Sequence, residues 1–194
     1  MAEREEIIRF WIDEVGPEGW YGGGAALDAR IRDRYEALWA EARDGALFGW
    51  QSAPRGVLAY LILTDQFPRN MFRDSAAAFA TDALARSAAK AAIDRRWDLD
   101  VPEPDRQFFY LPLMHSENLC DQDRCVRLMA VRMPEGGADN LRHARAHREV
   151  IRQFGRFPYR NAALGRTGKP AEAEWTTQGG YRLALAAVDA AAAA

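Results

Sequence analysis

Asp65 and Arg69 stand four residues apart in GVLAYLILTDQFPRN, residues 56–70, the spacing at which two side chains meet on one helix face. The seven residues from Val57 to Leu63 are all apolar, so the helix that carries them is greasy on every side and belongs in a core. A carboxylate at the end of such a helix is costly unless it is paired. Paired with Arg69, it can orient the guanidinium as the wall of a pocket that takes an anionic group bidentately. Equally, the pair can cap a helix that Pro68 breaks. Asn70 and Arg73 follow, the first suited to bonding local backbone beside a chain break, the second adding positive charge.

The three histidines are the next candidates. His115 falls in line with Phe108 and Leu111 on a helix face, so it points inward, and Glu117 lies two residues on. An inward histidine beside a carboxylate serves as a general base, a metal ligand or a hydrogen-bonded core residue. His143 and His147 form HxxxH, with Val150 and Phe154 further along the same face. Two imidazoles at this spacing can share a zinc ion, but a catalytic zinc needs a third protein ligand and no HExxH is present. Glu149 points elsewhere on the helical wheel. Only if the helices around 105–117 and 139–154 meet could His115 and Glu117 complete the set. The expectation is therefore no metal and no cofactor.

An internal echo links two distant segments, QFPRN at 66–70 and RFPYRN at 156–161. Both follow an apolar-periodic helix and both set Arg and Asn around a Phe-Pro pair. Side by side, Arg69, Arg73, Arg156, Arg160 and Arg166 would form a positive patch able to read a phosphate or carboxylate, with Asn161 placed as Asn70 is. Alternatively, these arginines satisfy helix-end carbonyls and pair with Asp65, Asp74 and Asp82. No serine elbow, Ser-His-Asp order, P-loop or framed pair of catalytic carboxylates occurs. Gly22-Gly23-Gly24 follows no strand and lacks a phosphate-loop pattern, so it reads as a loop.

Helical periodicity dominates the elements that must position these residues. Helices are expected over about 3–15, 25–44, 54–70, 76–94 (with Ser75 as N-cap), 105–117, 121–132 and 139–154, separated by Gly- and Pro-bearing connections. No window shows the alternation of a half-buried strand. About seven main helices with short connections predict an all-α domain over 1–183, built from antiparallel hairpins as a TPR-like right-handed array or a compact bundle. Residues 184–194 form an alanine-rich tail, a loose helix or disordered. The many aromatics, among them Trp11, Trp20, Tyr21, Trp39, Trp50, Phe67 and Tyr159, plug the gaps that small residues leave, or line a groove.

Bulk properties narrow the classes of function. The 194 residues suffice for one substantial domain, and 48% hydrophobic with 28% charged residues is the balance of a globular protein. A net charge of −2 offers no basic field for nucleic acid or an anionic membrane. No apolar run approaches the ~20 residues of a membrane span, and MAEREEIIRFW lacks the apolar core of a secretory signal, so a cytoplasmic location is expected. Cys120 and Cys125, five apart, match neither a redox pair nor a zinc knuckle and are expected to be reduced, one of them buried.

Three stretches carry a family resemblance: LILTDQFPRNMFRDSAAAFATDALA, FFYLPLMHSENLCDQDRCVRLM and HREVIRQFGRFPYRNAALGR. They resemble the bacterial family known as domain of unknown function 924, from FWIDEVGPEGWY near the N-terminus through Arg166; TTQGGYRLALAAVDAAAAA at the C-terminus resembles it less. The resemblance implies a helical, TPR-like domain of unsettled biochemical role. Residues and resemblance together lead to two expectations. One is a binding protein that takes a protein segment or small anionic ligand in a groove lined by arginine and aromatic residues. The other is a hydrolase-like enzyme using Asp65, Arg69, His115 and Glu117.

Overall fold

The structure, a computed structural model, describes residues 2–193, and among them every regular element is helical. The chain divides into two compact units, 1–112 and 113–194.

The first unit opens with α1 (residues 2–15), α2 (Gly16–Gly22) and α3 (Ala25–Arg43). Along one face α3 buries Ile31, Tyr35, Trp39 and Ala42. At the centre lies α4, residues 54–71, whose side chains from Val57 to Leu63 are all 2% exposed or less. This agrees with a helix apolar on all sides. Pro68, expected to end or kink it, does not end it. Residues Ile62–Gln66 widen to i→i+5 bonding, with the Phe67 N–H donating to the Ile62 carbonyl, and Phe67–Met71 continues as α-helix with Pro68 in its first turn. The wider turn accommodates a ring that would collide with a carbonyl in regular helix.

Around α4 the aromatics interlock. The Phe67 ring centre lies 5.4 Å from Trp11 and 4.8 Å from Tyr35, and Trp20 meets Phe108 edge-on at 5.0 Å. A 3-10 turn, Phe48–Ser52, rests on the N-terminal part of α4. Only glycine permits this approach, since a Cβ on Gly56 would stand 2.1 Å from the Trp50 carbonyl oxygen. Ser75 does cap, its hydroxyl accepting from the Ala77 N–H at 3.3 Å, but it opens only a 3-10 turn over Ala76–Phe79. The helix proper, α5, runs Asp82–Asp94 and lays Ala85, Ala88, Ala89 and Ala92 toward the core. The helix expected over 105–117 is a 3-10 turn, Asp105–Phe109, followed by the four-residue α6 (Leu111–Met114). Pro112 sits in the first turn of α6, where proline is tolerated; inside a longer helix it would not be. His115 and Glu117 therefore follow a helix end.

In the second unit, α7 (Leu119–Arg132) starts from Asn118, whose side chain accepts from the N–H groups of Cys120 and Asp121. It pairs with α8 (Ala138–Phe154) as a helical hairpin. Gly155 stops α8 with φ +71, the left-handed cap that glycine adopts without strain. After a 3-10 turn at Pro158–Arg160 come α9 (Pro170–Thr177) and α10 (Tyr181–Ala193). The alanine-rich tail is thus ordered helix over Tyr181–Ala193, because Tyr181, Ala184, Leu185 and Val188 pack with Val150, Ile151, Phe157 and Trp175 into this unit's core.

Candidate functional site

Within the first unit, Asp65 is 1% exposed and Arg69 lies beside it as its spacing demands, Nη1 3.4 Å from Oδ1. Nη1 also donates to the Asp65 carbonyl, and Nη2 donates to Asp82 Oδ1 at 2.9 Å. Gln66 Nε2 donates to Asp65 Oδ2 at 2.6 Å, so the carboxylate has claims on both oxygens. Asn70 lies inside α4 rather than beside a break. Its Nδ2 donates to Asp28 Oδ1 at 2.9 Å, and Arg73 grips the same carboxylate, Nη2 to Oδ1 at 2.8 Å. The Arg73 hydrogen bonds, with help from Asn70, hold the Asp28 carboxyl below its ordinary range.

Within the second unit, Glu117 Oε1 accepts from the Phe157 N–H at 2.9 Å and from Arg166 Nη1 at 2.8 Å. Burial is the largest single influence and pushes its pKa up, but Arg166, the Phe157 N–H and the charges of Arg166 and Arg160 together bring it below the usual value. Arg156 and Asn161 converge on Glu172 of α9. Arg156 Nε and Nη2 take its two oxygens at 2.7 and 2.8 Å, while Asn161 Nδ2 and the Lys169 N–H share Oε2 at 3.0 and 2.8 Å. Arg156 above all lowers the Glu172 pKa to about 2. Arg160 is buried with its guanidinium 4.5 Å from the centre of the Phe157 ring.

The HxxxH pair closes on a tyrosine. His147 Nδ1 lies 2.9 Å from the His143 carbonyl oxygen and 2.9 Å from Tyr181 Oη, and His143 Nδ1 lies 2.8 Å from the same Oη. A nitrogen facing a carbonyl must carry the proton, so His147 donates from Nδ1, and the Tyr181 hydroxyl donates to the same His143 carbonyl at 3.4 Å. Burial pushes the His147 pKa down to about 3, which keeps the ring neutral, and burial likewise raises Tyr181. His115 reaches this group, its ring centre 6.5 Å from that of His147. Among the described residues no three His, Cys, Asp or Glu side chains are placed to hold one ion. Both cysteines are free thiols, Cys120 exposed and Cys125 buried.

The structure therefore brings together Asp65 with Arg69, Asn70 with Arg73, His115 with His147, and Arg156 with Asn161. Asp65 and Arg69 belong to the first unit, His115 and Glu117 to the second. Sequence reasoning missed the acids that organise these groups, Asp28 and Glu172, and missed Tyr181. Asp28 stands 45 residues from Arg73 and Tyr181 stands 38 from His143, and no local pattern ties such partners.

It also missed a cleft of about 370 Å³ in the first unit, between the Phe48–Ser52 turn and α5. Val57, Ala88 and Ala92 form its floor; Phe48, 73% exposed, stands on its rim with Trp97 and Arg95. The Arg95 guanidinium stacks on Trp97 at 5.2 Å and Nη1 donates to the Ala91 carbonyl at 3.2 Å. Among the described residues no carboxylate lies within salt-bridge distance of Arg95.

The bacterial family described as a protein of unknown function (DUF924) matches residues 7–180. A solved protein of unknown function from Agrobacterium tumefaciens is 40% identical, with a TM-score of 0.85 over 92% of this chain and 98% of its own. No curated protein matches. With the match spanning all but the two ends, the chain belongs to the DUF924 family.

Proposed function

We propose that the protein is a cytoplasmic, TPR-like binding protein that recognises a segment of a partner protein. The observation that carries this reading is the cleft between the Phe48–Ser52 turn and α5, an apolar trough with an exposed aromatic on its rim and a guanidinium that, among the described residues, meets no carboxylate. Its rim carries Phe48, Trp97 and Arg95, none of them among the residues that the sequence singled out for a groove. Apolar grooves that seat the side chains of a bound segment are a recurring form of peptide recognition.

The arginines picked out in the sequence support this choice in a negative sense. Arg69, Arg73, Arg156 and Arg166 are each held by a carboxylate of the chain, so a small anion arriving there would face local negative charge. The hydrolase-like alternative meets the same obstacle, because the Asp65 and Glu117 carboxylates are already committed to Gln66, Arg69, Arg166 and the Phe157 N–H. Nothing in the charge balance favours nucleic acid.

The test is selection of peptides from a random display library on the purified chain, followed by affinities measured with wild type and Ala91→Phe. Ala91 lines the cleft and is partly exposed, so phenylalanine fills the space without entering the core. Peptides that bind wild type and lose at least about tenfold on Ala91→Phe, with its melting temperature unchanged, support the proposal. A library that enriches nothing, or peptides indifferent to Ala91→Phe, would sink it.

A further inference from the structure

We infer that the partner segment presents a bulky apolar side chain to this cleft with a single carboxylate next to it, received by Arg95; the inference rests on the binding reading above. The apolar half follows from the floor. Val57, Ala88 and Ala92 are each 2% exposed or less, and the trough exists because α5 places alanines where larger residues would close it. A trough of about 370 Å³ walled by Phe48 and Trp97 suits one large aliphatic or aromatic group, whose burial supplies affinity.

The acidic half follows from Arg95. The Trp97 ring beneath it and the hydrogen bond to the Ala91 carbonyl hold the guanidinium at the rim of the cleft, which lowers the side-chain freedom that binding must remove. Nη1 is engaged, and Nε with Nη2 remain as a planar fork of the shape that a carboxylate fits. Among the described residues Arg95 is the only charged side chain lining the cleft, which matches a charge of −1 better than the higher charge of a phosphate. A nucleic-acid strand would find stacking surfaces here but only one cation to follow its backbone.

A segment with an apolar residue beside Asp, Glu or a chain terminus meets both halves. A second cleft, about 580 Å³ between α8 and α10, is lined by an already paired Glu149 and Arg152 and makes no comparable demand on a ligand.

The experiment is a double-mutant cycle on full-length protein, using the peptides that the Ala91→Phe screen defines as cleft binders. The acidic residue of each peptide is replaced by its amide, and Arg95 by Gln and by Lys. The amide should weaken binding to wild type about tenfold or more, and change affinity for Arg95→Gln by less than about twofold. Arg95→Lys, which keeps the charge without the stacked fork, should fall between. Cleft-binding peptides that share no acid, or an amide penalty equal in wild type and Arg95→Gln, would overturn the inference and leave the binding reading standing. Single-stranded oligonucleotides that bind through the cleft more tightly than any peptide would overturn both. The peptide substitutions leave the protein unchanged, and melting temperatures equal to wild type confirm that the Arg95 variants are folded.

Discussion

Residues 66–70 and 156–161 carry nearly the same letters and adopt different backbones. In the first, Phe67 and Pro68 lie within a continuous helix, because the wide turn at 62–66 makes room for the proline ring. In the second, Gly155 ends α8, Phe157 is extended at φ −89 and ψ 107, and Pro158 opens a 3-10 turn. What they share is arrived at separately: an arginine and an asparagine held by acids that lie outside the matching residues. Two aspartates, Asp65 and Asp82, serve Arg69 in the first, while one glutamate, Glu172, serves Arg156, Asn161 and the Lys169 N–H in the second. A short motif repeated in sequence therefore does not specify a repeated structure. The lasting requirement is neutralisation of a positive side chain beside a core.

Asp65→Ala should have the largest effect on the first of these two regions. Removing a carboxylate that is 1% exposed leaves Arg69 and Gln66 with altered partners, and the expected loss is about 3–5 kcal/mol by denaturant unfolding. A loss under about 1 kcal/mol would place the pair among ordinary surface contacts.

The two units should next separate by pH. All three histidines lie in the second, and His147, held at about 3 against its ordinary 6.5, binds its proton less readily when folded. Its neutral-state stabilisation is complete above pH 6.5 and is lost as pH falls toward 3, amounting at pH 5 to at most about 2 kcal/mol. Hydrogen-exchange protection, corrected for intrinsic rates, should drop between pH 7 and 5 in α8 but not in α4, and His147→Phe should remove the drop. Equal losses in both helices would contradict this account.

Glu172→Gln comes third. The amide keeps some of the hydrogen bonds but not the charge, so the melting temperature should fall at pH 7. The Glu172 pKa near 2 lies below the ordinary 4.5, so the stabilisation is present above 4.5 and fades toward pH 2; wild type and variant should converge there. The smallest effect is expected from Arg73→Ala. That side chain is 52% exposed, and its loss should cost under about 1 kcal/mol although its geometry with Asp28 is good.

Much of the architecture was written locally. An unbroken apolar run from Val57 to Leu63 needs burial on every side whatever surrounds it, and α4 receives it. The stripe of α3 and the glycine after Phe154 likewise required only local reasoning. The candidate site was half legible. Asp65 with Arg69 is a one-turn spacing, and its side chains meet as that spacing requires. His143 and His147 are also one turn apart, yet their meeting point is Tyr181, which no periodicity connects to them.

The sequence by itself determined that the protein is all-helical, which helix is central and which polar side chains would need partners, because periodicity and the cost of an unpaired charge act over a few residues. Tertiary structure decided the rest. It continued α4 through Pro68 and docked the alanine-rich end as α10. It brought Asp28 to Asn70 and Arg73, and Glu172 to Arg156 and Asn161. It also left a trough where the 48–52 turn meets the alanines of α5. Each of these depends on which surfaces remain after distant elements have packed, and small side chains are silent about that until their neighbours are in place.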